Sequence, residues 1–398
     1  MRKRICIILI LCLLLSLWGC KSKANKPTVP TTNPTEGRPT APANPTSPSG
    51  PSNPTEPSNP TDPTNPSEPN QSVPLVTVSV PTVTENTTAQ NGTILFQYTH
   101  QTMSLVLPDP TVANKIIVNF LNRVDGTRGL AESTAQLAKS VYSGSGSWTP
   151  YLCHVAYSPT RIDSTVLSLF GDCVVYNGAF HPDRSCVSAN YDLRTGDVLT
   201  LANILTKDAK LEDLCNLVLE RLLVMSEDDY YYPGYAQTVR QRFAADPNTD
   251  ESWYLTQTGL CFYFAPYEIA PYASGIISVE IPYSKLTNLL SVTYLPIERE
   301  QDKGKITLSA FNSVNLGQFS QISEILADLN GSMHILHTDA TVHDVRIIQT
   351  DSASTFTVFA AYQLTSSDAV MLQASADTLK NMQIVYSSNG KTVTMPLG

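Results

Sequence analysis

The chain is 398 residues long, and charged side chains make up only 15% of it, against roughly a quarter in ordinary soluble domains. Of its 26 basic and 35 acidic side chains, 7 and 4 precede residue 75, which leaves −12 for residues 75–398. So acidic a body excludes the basic footprint that nucleic acid or an anionic lipid surface requires, and it attracts cationic partners.

Residues 1–20 read as a processing segment. Met1–Arg4 supply the positive charges, and Ile5–Leu17 form a 13-residue uncharged apolar run, short of the roughly 20 residues a spanning helix needs. The run ends Leu17-Trp18-Gly19-Cys20, similar to a bacterial lipobox, which implies acylation of Cys20 and anchoring at the outer face of the plasma membrane. Residues 21–74 hold 15 of the 28 prolines and almost no large apolar side chain. Such a tract stays extended and reads as a stalk with a contour near ~170 Å at ~3.1 Å per residue.

The folded part begins near Val76–Val83, and Gly92–Leu107 reads as one or two strands. Asp109 followed by Pro110 starts a helix that Gly126 stops, and a second helix spans Leu130–Val141. Tyr151–Tyr157, Thr165–Tyr176 and Cys186–Leu193 alternate as a strand meander. Helices over Asp208–Met225 and Tyr235–Ala245 follow. Gln301–Lys305 reads as a joint; beyond it come a strand, a short helix near Phe319–Leu329, and strands at Thr341–Gln349, Thr355–Leu364, Met382–Tyr386 and Thr392–Leu397. The expected fold is α+β with mainly antiparallel sheet, in subdomains 92–160 and 161–300 and a small α+β domain 306–398.

The organising stretch is Trp253–Leu286. Two aromatic, β-branched runs, Leu260–Ala265 and Gly275–Ile281, suit a half-buried sheet. Pro266 and Pro271 stiffen the loop between them, which presents Tyr267, Glu268 and Tyr272 in fixed geometry. Glu268 has two readings: a strut accepting backbone N–H groups within the loop, or a contact residue flanked by tyrosine platforms. A glycosidase would need a second carboxylate about 5–9 Å away, and spacing selects none among Asp172, Asp183 and Asp192.

Other groups carry less. His334, His337 and His343 lack a nearby Glu at metal-motif spacing, Glu227-Asp228-Asp229 lacks a cation-loop pattern, and Gly144–Ser147 fits no nucleophile elbow, so no metal or cofactor is expected. Of eight cysteines, five stand in the body: Cys153, Cys173, Cys186, Cys215 and Cys261. A disulfide between Cys173 and Cys186 across a hairpin at Gly178, and free buried thiols, are both open.

Three patches together carry a resemblance: Gly178-Ala179-Phe180-His181-Pro182, Tyr191-Asp192-Leu193-Arg194-Thr195-Gly196-Asp197-Val198-Leu199-Thr200-Leu201, and Phe262–Leu286. They resemble the RsiV/PdaC-like extracytoplasmic domain, shared by a lysozyme-sensing anti-sigma factor and the non-catalytic region of a peptidoglycan deacetylase. The resemblance spans about Gly92–Pro296. Phe180 stands where the family commonly runs Gly-Ala-His. Only Met1–Arg4 precede the apolar run, and Ile306–Gly398 lack the Asp-Asp pair and metal histidines of the deacetylase, so neither whole-protein role is implied. What the resemblance implies is a non-catalytic module at the wall, binding peptidoglycan glycan or a cationic protein such as lysozyme; Tyr267, Glu268, Tyr272 and His181 are the candidate binding residues. A wall-glycan hydrolase or deacetylase and a structural spacer are the alternatives.

Overall fold

The computed structural model describes residues 74–398 apart from 145, 226–229, 249–250, 298, 300–301, 327–330 and 351–354. The processing segment, Cys20 and the stalk up to residue 73 lie outside the described residues, as do Ser145 and Glu227-Asp228-Asp229.

The chain enters through β1 (Thr77–Ser79), β2 (Thr82–Thr88), β3 (Ile94–Gln101) and β4 (Ser104–Val106). Helix α1 (Pro110–Asp125) then starts as its sequence dictates, the Asp109 carboxylate accepting the Thr111 N–H at 2.8 Å. Ile116, Phe120 and Val124 recur on one face and are buried; α2 (Arg128–Val141) follows. Strands β5 (Tyr151–Ile162), β6 (Val166–Tyr176) and β7 (Asp183–Asp192) form the expected meander. With β2 and β3 they make a five-stranded sheet ordered β2-β3-β5-β6-β7. Only the β3–β5 pair in it is parallel, and α1–α2 supply the crossover such a pair requires.

Next come α3 (Leu201–Ile204), α4 (Leu211–Met225), α5 (Tyr235–Phe243), and a three-stranded sheet of β8 (Trp253–Leu255), β9 (Gly259–Phe264) and β10 (Ile277–Pro282). The sequence reading makes this sheet half-buried; all six residues of β9 are in fact buried. Leu260, Phe262 and Phe264 pack with Leu214, Val218 and Leu222 of α4 and with Phe243 of α5. Cys261 and Tyr263 pack on the other face, with Tyr254, against Phe170 of the meander.

The remaining elements are β11 (Ile306–Ala310), α6 (Ser313–Leu316), β12 (Gln321–Leu326), β13 (Ser332–Thr338), β14 (Val342–Thr350), β15 (Thr355–Leu364), β16 (Asp368–Ala374), α7 (Ala376–Lys380), β17 (Met382–Ser388) and β18 (Lys391–Pro396). Two sheets, β11-β13-β16-β12 and β18-β17-β14-β15-β1-β4, enclose a core that includes Leu336, Ile347, Phe359, Leu372 and Ile384. The architecture is α+β, as its patterning indicates. Two readings need correction. Where a helix was expected near Phe319–Leu329, β12 pairs in parallel with β16, and Ile325 enters the core at strand rather than helical period. And the expected small domain 306–398 does not close on itself: β1 lies between β15 and β4, with Thr77 opposite Ala361.

Register also decides the cysteine question. Cys173 pairs with Ser185, and Asp172 with Cys186. Cys173 and Cys186 therefore point from opposite faces of the sheet and form no bridge. All five body cysteines are free thiols.

Candidate functional site

Strand β9 ends in a turn whose Glu268 N–H donates to the Ala265 carbonyl at 3.1 Å. Pro266 takes the second place and Tyr267 the third, with φ +71, the left-handed position of a type II turn that glycine usually fills. Ile269 and Ala270 plug into the core behind the turn, and residues Tyr272–Ser274 make one 3-10 turn closed by Gly275. The backbone thus drives Tyr267 outward, 57% exposed, while its neighbours anchor the loop.

Glu268, also exposed, is tied back to the loop. One carboxylate oxygen accepts the Ala265 N–H at 2.9 Å, and the other lies 3.6 Å from the Arg242 guanidinium of α5. Arg242 itself donates to the Tyr263 and Ser252 carbonyls and stands 4.9 Å above the Phe264 ring. Of its two readings, Glu268 takes the strut.

The second strip of the site comes from the β6–β7 hairpin. Gly178 turns it at φ +87, and a Cβ there would lie 2.3 Å from the Tyr151 hydroxyl, so both conformation and space call for glycine. The turn places Phe180 wholly in solvent and swings His181 onto the lip. The His181 ring stacks on Tyr272, centroids 4.1 Å apart and planes 25° from parallel. Its Nε2 is 3.4 Å from the Tyr267 hydroxyl, and the Tyr272 hydroxyl donates to the Pro182 carbonyl at 2.7 Å. Tyr267 and Tyr272 are 5.5 Å apart. Three of the four residues singled out in the sequence therefore meet in one aromatic cluster, and Phe180 stands beside His181 at 6.4 Å.

Against this cluster opens a cleft of about 460 Å³. Leu130 and Leu137 of α2 form one wall, the lip the other, and Asn177, Asp183 and Arg184 bring polar groups to it. Arg184 is paired with Asp172 at 3.1 Å, while Asp183 is exposed. Burial, helped by the Asp172 and Glu268 carboxylates, pushes the nearby Cys186 thiol up to about 12, so it stays protonated at neutral pH and is a poor nucleophile. The arrangement offers rings to stack on and hydrogen-bonding groups at the edge.

Other sequence candidates lie elsewhere. Asp192 is held by Arg194 and by the Tyr294 hydroxyl, so it supplies no partner carboxylate to Glu268. His334 and His337 leave β13 from opposite faces, and His343 is buried on β14. Among the described residues no three His, Cys, Asp or Glu side chains gather as a metal site requires. Sequence reading treated Phe180 only as an interruption; Asn177-Gly178, a hairpin-turn signal, was the available sign that it sits at a tip.

Residues 202–284, from α3 to just past β10, match the family model described as "Protein of unknown function (DUF3298)". That span includes Tyr267, Glu268 and Tyr272, and leaves out Phe180 and His181. No curated protein matches the chain. Among solved structures, a member of the DUF3298 family from Bacteroides fragilis is similar at 19% identity and TM-score 0.43, over 55% of this chain and 94% of that one. A DUF3298 family protein from Pseudomonas aeruginosa is similar at 16% identity and TM-score 0.38, over 56% of this chain and 97% of that one.

Proposed function

We propose that this protein is a lipid-anchored, non-catalytic binding module of the bacterial cell surface, and that its aromatic lip takes wall glycan. The observation that carries the reading is the convergence of His181, Tyr267 and Tyr272, with Phe180 fully exposed beside them, along a cleft with polar edges. Aromatic faces suit the apolar faces of sugar rings, and Asn177 and Asp183 offer hydrogen bonds to ring hydroxyls. The non-catalytic part of the reading is supported by Glu268, whose oxygens are engaged by Ala265 and Arg242. The surface location is supported by the lipobox-like Leu17–Cys20, the proline-rich stalk and the resemblance to the RsiV/PdaC-like extracytoplasmic domain.

A second reading is favoured by charge: −12 on residues 75–398 would steer a cationic wall-active protein such as lysozyme to the same lip. Titrating the mature protein against purified peptidoglycan, and separately against lysozyme in rising salt, distinguishes them. Saturable, salt-tolerant binding to peptidoglycan supports the glycan reading. Binding to lysozyme alone, fading with salt, replaces it with the second. Binding to neither overturns both.

A further inference from the structure

A second cleft, of about 500 Å³, opens well away from the lip, between β5, the β8–β9 turn and the outer face of the six-stranded sheet. Arg346 stands in it. Strand alternation sends Val345 and Ile347 inward to the core and Arg346 outward, in the interior of β14, opposite Ala360 on one side and Val385 on the other. Its neighbours' charges are already spoken for. Asp344, turned by φ +52, grips Arg299 through both oxygens, and Glu280 accepts the hydroxyls of Thr256 and Thr258. Among the described residues Arg346 has no hydrogen-bond or ion-pair partner, and its Nε is withdrawn from the surface with no acceptor. A buried N–H left without an acceptor carries a desolvation cost, and an acceptor brought in from the cleft would offset it.

The walls around it are rich in hydroxyls. Ser158, Thr357 and Thr392 line the same cleft, and the Ser158 oxygen accepts the Thr357 N–H at 3.1 Å, which leaves its own proton to donate. We propose that this cleft is a binding site for a small oxyanion that also carries hydroxyl groups. The Arg346 fork takes the anionic group, and the Ser158, Thr357 and Thr392 hydroxyls take the alcohols. The site stands independently of the lip and of the glycan reading. Two sources share the required chemistry, a phosphorylated polyol and a carboxylated sugar.

Calorimetric titration of the mature protein with glycerol 3-phosphate, N-acetylmuramic acid and neutral N-acetylglucosamine tests it. One or both anions bind, the neutral sugar does not, and whichever anion binds more tightly identifies the source. Arg346→Met weakens the binding anion at least ~10-fold, since a hydrogen bond to a charged group has about that weight. Arg346→Lys, which keeps the charge and loses the fork, falls between. The melting temperature of Arg346→Met stays level or rises, because no internal partner is lost. The proposal is overturned if neither anion binds, if Arg346→Met binds as wild type does, or if that variant melts several degrees lower and so shows the arginine to be structural.

Discussion

Arg161 and Arg346 both leave strand interiors, the first with its whole guanidinium buried and the second with its Nε withdrawn from the surface, and the protein treats them in opposite ways. Arg161 is fully buried and fully engaged: it donates to Asp163 at 2.8 Å, to the Tyr283 hydroxyl at 2.8 Å, and to the Tyr294 and Leu295 carbonyls at 2.7 and 3.3 Å. Asp163 in turn accepts the N–H groups of Thr165 and Val166. That knot ties β5 to the turns after β10, which is scaffold work. Arg346 faces a cleft with its donors spare. The same contrast recurs at smaller scale in the lip, where Glu268 is consumed by the loop and its neighbour Tyr267 is thrust outward. Satisfied polar groups hold this fold, and the spare Nε of Arg346 is what the proposed oxyanion site rests on.

The largest break in that comparison is Arg161→Ala. It leaves the Asp163 charge buried and two carbonyls bare, and should cost about 3–5 kcal/mol of stability, read from urea unfolding; a cost below ~1 kcal/mol would mean that the knot is dispensable. Glu268→Ala comes next, with about 1–2 kcal/mol lost as the Ala265 N–H and Arg242 lose their acceptor. Ligand affinity in that variant should hold at temperatures where it remains folded, and a selective affinity loss would return Glu268 to the contact surface.

His343 gives a pH-dependent case. Burial, reinforced by Arg299, pulls its imidazole below the ordinary value near 6.5, against the opposing pull of Asp302 and Asp344. The folded state keeps the ring neutral, whereas the unfolded chain protonates it near the ordinary value. The stabilising contribution is therefore whole above about pH 6.5 and declines as acid carries the solution down toward the lowered folded-state value. Urea midpoints from pH 7.5 to 5 should fall less steeply in His343→Gln than in wild type, and identical slopes would contradict this. The smallest effect on stability belongs to Tyr267→Gly. Relief of the left-handed backbone offsets the extra freedom that glycine brings to the unfolded chain, so stability should move by no more than about 1 kcal/mol. Glycan binding should drop all the same.

Much of this was legible in the sequence, for identifiable reasons. Asp109-Pro110 announced α1, alternation announced the meander, and the two prolines marked a stiff loop whose tyrosines do meet His181. What escaped depended on partners distant in the chain. The short Gln321–Leu326 segment gains strand character from β16, some 47 residues later in register, and β1 becomes an interior strand only because β15 accepts it. Cys173 and Cys186 flank the hairpin at Gly178, yet a register of one residue sets them on opposite faces. Arg346 within Val345-Arg346-Ile347 looked like any outward residue of a strand; that nothing across the cleft answers its charge is a fact of tertiary structure alone.

The lip's role as a contact surface is tested most directly by the affinity of the Phe180→Ala, Tyr267→Ala double variant for purified peptidoglycan, with its melting temperature measured alongside. Both side chains are exposed, so melting should shift by no more than a few degrees, while the apparent Kd should rise at least ~10-fold if each ring contributes about 1 kcal/mol. An unchanged Kd in a protein that melts normally would contradict the account.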